Sequence, residues 1–339
     1  MHNSFKERLV DTRDVPVIGY LYRPAPVPMK CSLLVANFNH ADVIPTALQS
    51  IEAQTYPDWE AVIVDDASVD NSLEVIRSFI SASQHREKYR VISLARNMGV
   101  GHAKKTAAEN ASGEVMAICD PDDALHPEAV AKVMQEHLKQ PQASLVYTSY
   151  YYCDSALRPQ RVRQHAGHIL HSDLKEDKVS AFAAFKSAAY HRTAGFDAAF
   201  RLAEDKDLYY KLEEVGEVVY LDEPLYYYRI WDRGISQGFD SFVRSRDYRL
   251  TAIEHAMERR KKSGIKQLSE TERRHLLAAI HLLQAEGIMY SEQPVTGKFF
   301  KHWYKAVRLH PTSKLKVKAK TLLLLSRVKR SLRRLLQKK

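Results

Sequence analysis

Short apolar runs alternate with amphipathic stretches from residue 31 onward. Ser32-Leu33-Leu34-Val35-Ala36 ends at Asn37-Phe38-Asn39-His40, and a helical stretch follows with Ala47, Leu48 and Ile51 on one face. Trp59 to Val64 is the next strand, closed by Asp65-Asp66-Ala67-Ser68; Asp70 then opens a helix carrying Leu73, Ile76 and Ile80. Val91-Ile92-Ser93-Leu94 precedes Asn97-Met98-Gly99 and a helix that runs to about Ala111. Val115 to Cys119, a helix over 127–140 and a strand over 144–148 complete the series. Strands that alternate with helices of this length predict an α/β fold with a mostly parallel central sheet and right-handed crossovers.

The polar residues fall just after the strands: Asn37 and Asn39, Asp65 and Asp66, Asn97, Asp120 and Asp122. In an open parallel sheet these ends share one edge, and ligands bind in the crevice outside it. Asp120-Pro121-Asp122-Asp123 is the most telling of these clusters. Carboxylates crowded at the end of a buried strand repel one another and invite a hard divalent cation, whose open positions phosphates fill. The same tetrapeptide is also turn and helix N-cap chemistry, with Asp123 placed to cap the helix starting near Pro127. Gly99-Val100-Gly101 lacks the third glycine of a dinucleotide fingerprint, and no Walker-type lysine motif occurs.

Charge changes the picture only at the C-terminus. The 339 residues carry a net charge of +10. Every acid precedes residue 293, whereas fifteen of the 51 Lys and Arg follow it, so the rest holds 36 basic against 41 acidic side chains. A core of net −5 does not predict nucleic-acid binding. Cys31, Cys119 and Cys153 are too scattered for a disulfide framework or a zinc site, which suits a reducing cytoplasm. Met1 to Arg13 lacks the apolar stretch of a secretory signal.

The ordered set Asn37-Phe38-Asn39, Val64-Asp65-Asp66-Ala67-Ser68-Val69-Asp70, Asn97-Met98-Gly99, Asp120-Pro121-Asp122-Asp123, Gly195-Phe196-Asp197, Ala203-Glu204-Asp205-Lys206-Asp207-Leu208 and Tyr228-Arg229 resembles family 2 glycosyltransferases of the GT-A fold, over about Lys30 to Ser236. The resemblance implies inverting transfer from a nucleotide-diphosphate sugar, UDP being the commonest donor nucleotide, with Mg2+ or Mn2+ as cofactor. By that resemblance Asp66 binds the nucleobase edge beside Asn37 and Asn39, with Asn97 also on the donor side. Asp120 lies near ribose and metal, Asp122 coordinates the metal, and Asp205 of the Glu204-Asp205 pair is the catalytic base. Arg229 is a candidate cationic contact to the diphosphate. Acids in the first turn of a helix also suit its dipole without any catalysis.

Two departures stand out. Trp231 occupies the place where many relatives carry histidine, which leaves His102 or His191 as possible substitutes, and the basic residue ahead of the acidic motif is Lys104 or Lys105. The Gln-x-x-Arg-Trp signature of processive synthases is absent, which favours single addition to a glycan or lipid-linked acceptor, as in bacterial envelope polysaccharide synthesis. A non-catalytic nucleotide-sugar or glycan-binding module of the same fold is the competing reading. Tyr226-Tyr227-Tyr228 is either an acceptor platform or an alternating strand with one buried ring.

The expected organisation is an extended strap over 1–29, a catalytic domain over 30–238, a helical extension over 239–310 and a basic amphipathic helix over 311–339. Ser269-Glu270-Thr271-Glu272 matches a capping box. In the tail Leu315, Ala319, Leu322, Leu325, Val328, Leu332 and Leu335 recur at helical steps among Lys and Arg. That pattern fits either a helix lying on the inner, anionic face of the cell membrane or a stripe packed on the protein.

Overall fold

In the computed structural model the first four apolar runs become strands of one sheet. The structure describes residues 29–163, 167–231, 239–290, 295, 297–309 and 313–336. The expected strap therefore lies outside the described residues except for Met29, as do 232–238, 310–312 and 337–339. Strand β1 (Cys31–Asn37) leads through helix α1 (Ile44–Glu52) to β2 (Trp59–Asp65), α2 (Ser72–Ala82), β3 (Tyr89–Ser93), α3 (Val100–Glu109) and β4 (Val115–Ile118). These four strands pair in parallel, in the order β3-β2-β1-β4.

Both faces of this half are buried, which is why its strands read as continuous apolar runs. Leu33, Val35, Ala61, Ile63 and Ala117 pack with Ile44, Leu48 and Ile76 on one side. Leu34, Val62, Val64, Met116 and Ile118 pack with Ala103 and Ala107 on the other.

The second half is mixed. It comprises β5 (Ala124–Leu125), α4 (Ala129–Lys139), β6 (Ala143–Cys153), β7 (Pro159–Val162), α5 (Asp173–Glu176), β8 (Ala183–Lys186), α6 (Ser187–His191), α7 (Glu204–Val215) and β9 (Glu217–Arg229). Strand β8 lies antiparallel between β4 and β6, and β9 runs parallel to β6. The sheet continues β4-β8-β6-β9-β5, with β7 paired to β6.

Four helices follow: α8 (Phe239–Ser263), α9 (Glu270–Tyr290), α10 (Gly297–Arg308) and α11 (Ser313–Leu336). The capping box forms, with the Glu272 N–H donating to Ser269 Oγ at 3.3 Å and the Ser269 N–H donating to Glu272 Oε2 at 2.9 Å. Helix α8 docks on α7 through Tyr210, Leu250, Ile253 and Ala256. The contact is reinforced by Arg260, whose guanidinium is 2.7 Å from Glu213 and 3.2 Å from Glu214. Arg260 and Glu213 are both nearly solvent-free, so losing either leaves a buried charge with only its more distant partner, Glu214 or Lys266, and destabilises the contact.

In α11, Ala319 and Leu322 are buried in a cluster with Leu282, Ala285 and Phe299, so this part of the tail stripe packs on the protein. The side chains of Leu315, Leu332 and Leu335 lie outside the described residues. A second strip faces outward, with Val317, Leu324 and Val328 at 66, 64 and 50% exposure. Among the described residues no helix is long and apolar enough to cross a membrane.

Candidate active site

The loops after β1, β2, β3 and β4 meet along one sheet edge, and their polar residues divide between bracing and lining. Asn37 sits opposite Asp65 in the β1–β2 register and donates from Nδ2 to its carboxylate at 2.8 Å. Asp65 also accepts from the Ser68 hydroxyl at 2.6 Å. The Asn39 side chain accepts from the Val69 N–H at 2.8 Å, its own backbone in the left-handed region at φ 59°. Asn39 and Asp65 thus weld two loops together. Asp66 turns into the cavity instead, and its two oxygens accept the Met98 and Gly99 N–H groups at 2.6 and 2.7 Å.

Gly99 needs its residue type, with φ 94°, and Gly101 needs it for closeness: a Cβ there would stand 2.4 Å from the Phe200 carbonyl oxygen. These two glycines let the start of α3 press against the turn that precedes α7. That contact brings Lys104 to the acids on both sides. Lys104 is 4% exposed, with Nζ 3.0 Å from Asp120 and 2.7 Å from Glu204. Burial opposes its charge, but Asp120 and Glu204 outweigh burial and hold its pKa well above the usual lysine value. Lys105 instead faces outward near Glu109. Burial pushes Glu204 up, and Lys104 offsets this only in part. At 2.7 Å from a permanently charged ammonium, we take Glu204 as the ionised half of the pair.

The loop after β4 is held from behind. The Asp120 N–H donates to the Tyr226 hydroxyl at 3.0 Å, and Asp123 accepts the Arg229 N–H at 2.7 Å. Asp123 therefore ties this loop to β9 and does not cap α4, whose N-cap residue is Glu128. Burial, then Asp122 and Asp120, push Asp123 well above the carboxylate range. Asp122 is pushed up by burial and by Asp120, and accepts the Trp231 indole N–H at 3.1 Å. The residue standing where many relatives have histidine thus reaches the carboxylate expected to hold metal.

A cavity of about 750 Å3 opens along this edge. It is lined by Asn37, Asp66, Asn97, Asp120, Asp122, Glu204 and Asp205, so the expected base and the expected metal ligand share one hollow. Asn39 and Arg229 do not line it. The Arg229 guanidinium lies behind the acidic loop, donating to the backbone carbonyls of Asp122 (2.6 Å) and Ser155, with its centre 5.6 Å from the Trp231 ring. His40, and neither His102 nor His191, is in the wall; its ring centroid is 6.2 Å from that of Trp231 and its Nδ1 is buried without a hydrogen-bond partner. Arg201 joins the wall beside Asn97, its Nη1 3.2 Å from Asn97 Oδ1. Neither His40 nor Arg201 stands out in the sequence, because no spacing rule links them to the acidic motifs.

Tyr226 is fully buried and stacked on Phe182, Tyr227 stacks on Tyr151, and Tyr228 reaches the cavity. The triplet is an alternating strand whose last ring lines the hollow.

Residues 32–196 match the family model described as "Glycosyl transferase family 2". This segment is a family 2 glycosyltransferase domain. A chondroitin synthase of Pasteurella multocida (strain Pm70) is 30% identical over 200 residues, which is 58% of this chain and 20% of that protein. The chain thus spans about a fifth of that relative's length. Among solved structures, S. aureus TarS 1-349 in complex with UDP-GlcNAc superposes with TM-score 0.62 at 18% identity, covering 88% of each chain. A mannosyltransferase from Pyrobaculum calidifontis, in complex with GDP-Man and Mn2+, gives TM-score 0.54 at 18% identity over 89% of this chain and 81% of its own. These likenesses establish the GT-A-like fold with its C-terminal helices.

Proposed function

We propose that the protein is an inverting, divalent-metal-dependent transferase that moves a sugar from a nucleotide diphosphate, UDP foremost, to a hydroxyl of a glycan or lipid-linked acceptor. The observation that carries this reading is the shared cavity of Asp122 and Asp205, with Lys104 between their loops. Five carboxylates (Asp120, Asp122, Asp123, Glu204 and Asp205) line this hollow, and three of them, Asp120, Glu204 and Asp205, act on Lys104. Hard oxygen donors and surplus negative charge fit a divalent ion, which Asp122 and Asp120 would hold. Among the described residues no three side chains of ligating type converge, so the protein alone offers an incomplete shell. The remaining positions suit diphosphate oxygens. The ion would supply positive charge to the departing diphosphate.

The chain's own residues account for the rest. Asp66, Asn37 and Asn97 line the donor side of the hollow. Asp205, at the first turn of α7 and in the wall of the cavity, would take the proton of the attacking hydroxyl. Lys104 fixes Asp120 relative to Glu204 and so sets the donor loop against the helix that carries the base. Neighbours of this fold hold UDP-GlcNAc in one case and GDP-Man with Mn2+ in another. The test is a screen of nucleotide sugars with purified protein, reading released nucleotide. Release from at least one donor, abolished by EDTA and restored by Mn2+ or Mg2+, is expected; release that ignores EDTA defeats the metal assignment.

A place at the inner membrane face is part of this proposal. Its support is the outward strip Val317, Leu324 and Val328, flanked by exposed Lys316, Lys320 and Arg327. Replacing both Val317 and Leu324 by Glu should weaken co-sedimentation with anionic vesicles by about tenfold. Unchanged co-sedimentation of that variant would remove the membrane from the proposal.

A further inference from the structure

The cavity has two ends of opposite sign. Beyond Asp205 the acids give way to Lys206, Arg163, Arg246 and Arg249, which line the same hollow. Asp177 is the acid among them, 2.8 Å from Lys206 and 2.6 Å from Arg249. Asp173 stands behind, 3.9 Å from Lys206 and itself buried. Arg163 is held by the neutral carbonyls of Lys178 and Asp177 at 2.8 and 3.1 Å, so its charge is not cancelled by those bonds. Among the described residues these four cations meet three carboxylates, Asp177, Asp173 and, beside Arg246, Glu286, of which Asp177 lines the cavity.

Two further observations mark this end as built for an anion. The Arg249 Nε is buried and has no hydrogen-bond acceptor, an unmet donor on a guanidinium that lines the hollow. Arg246 is pushed down to about 10, by burial first and then by the like charge of Arg249, with Glu286 and Asp177 opposing. Beside the cations lie three tyrosines. Tyr152 and Tyr228 are register partners on β6 and β9, and Tyr150 is 5.0 Å and 5.5 Å from their ring centroids. Tyr150 is buried, with its hydroxyl on Tyr152 and Arg163 over its ring, so it backs the other two, and Tyr152 and Tyr228 are the rings that can offer surface to a sugar.

We infer that the acceptor is an anionic glycan, its sugar resting on Tyr152 and Tyr228 and its carboxylate or phosphate seated between Arg249 and Arg246. This deepens the transferase reading and rests on it. The acidic end receives cation and diphosphate, Asp205 sits near the junction, and the basic end selects an acceptor by charge. A neutral glycan would leave the Arg249 donor unanswered, which is the physical basis of the selection.

The test measures binding, with UDP and Mn2+ present, of a glucuronate-containing tetrasaccharide and of a glycerol phosphate oligomer. Each is compared with a neutral counterpart, the carboxyl-reduced tetrasaccharide and a dephosphorylated polyol. At least one anionic probe should bind about tenfold more tightly than its neutral form at low salt. The arm that shows the preference tells carboxylate from phosphate. Arg249→Gln should erase the preference, and Arg249→Lys, which keeps the charge, should retain part of it; Arg246→Gln repeats the test at a second cation of the same end. Equal binding of charged and neutral probes, or a preference that survives both glutamine variants, overturns the inference. UDP titrated alone reads the donor end separately. An anion preference in a protein that binds no UDP defeats the acceptor role together with the transferase reading, whereas UDP binding without the preference defeats this inference alone.

Discussion

Asp205→Asn should lower turnover by about a thousandfold, the scale set by removing a positioned general base, while donor affinity stays within about threefold. The substitution is nearly isosteric. The Asp205 Oδ1 accepts the Lys206 N–H at 2.8 Å, and an amide oxygen can accept the same bond, so the start of α7 keeps its shape. What is lost is the ability to take a proton from the acceptor hydroxyl. Released nucleotide gives the rate, and calorimetry with UDP gives the affinity. A variant retaining a tenth or more of the wild-type rate would move the base elsewhere, with Glu204 the next group to examine. Glu204 is the weaker choice because it is buried at 2.7 Å from Lys104 and its charge is already committed.

Lys104→Met should destabilise the fold by about 3–5 kcal/mol, because it leaves Glu204 buried without its cation. It should also depress transfer, since Asp120 loses the tie that holds the acidic loop against α7. Chemical denaturation reads the first effect and nucleotide release the second. Adding Glu204→Gln to Lys104→Met removes the orphaned charge, and the double variant should regain part of the stability without regaining the rate. If Lys104→Met unfolds at the wild-type denaturant concentration, the buried triad contributes nothing and the account of how α3 joins the two halves of the site is wrong.

The parallel half of the sheet is legible in the chain because both its faces are covered, so β1, β2 and β4 print as unbroken apolar runs. The polar residues that follow them are legible as a site for a topological reason: parallel strands deliver their carboxyl ends to one edge. Rotation about a helix decides what sequence cannot. Lys104 and Lys105 are neighbours, yet only Lys104 shares the buried face of α3 with Ala103, Ala107 and Ala108. Strand β8 escapes notice because four residues are too few to show a period. Strand β9 is interrupted by Asp222, Glu223 and Pro224, where its pairing with β6 shifts register. The basic end of the cavity draws Arg163 from the β7 side, Lys206 from α7, and Arg246 and Arg249 from α8, so no local pattern announces it.

The buried pairing of Arg260 with Glu213 bears on how the gene is cut. Among the described residues both cations near Glu213, Arg260 at 2.7 Å and Lys266 at 3.7 Å, come from beyond residue 238, although Glu213 belongs to the helix that begins with Glu204 and Asp205. A truncation that looks natural on paper would strip that carboxylate of its counter-ions and Asp177 of Arg249 in one stroke. Helix α8 and the turn after it are therefore a keystone for the wall of the cavity, and a shortened chain that keeps that wall must include the helix bearing Arg260.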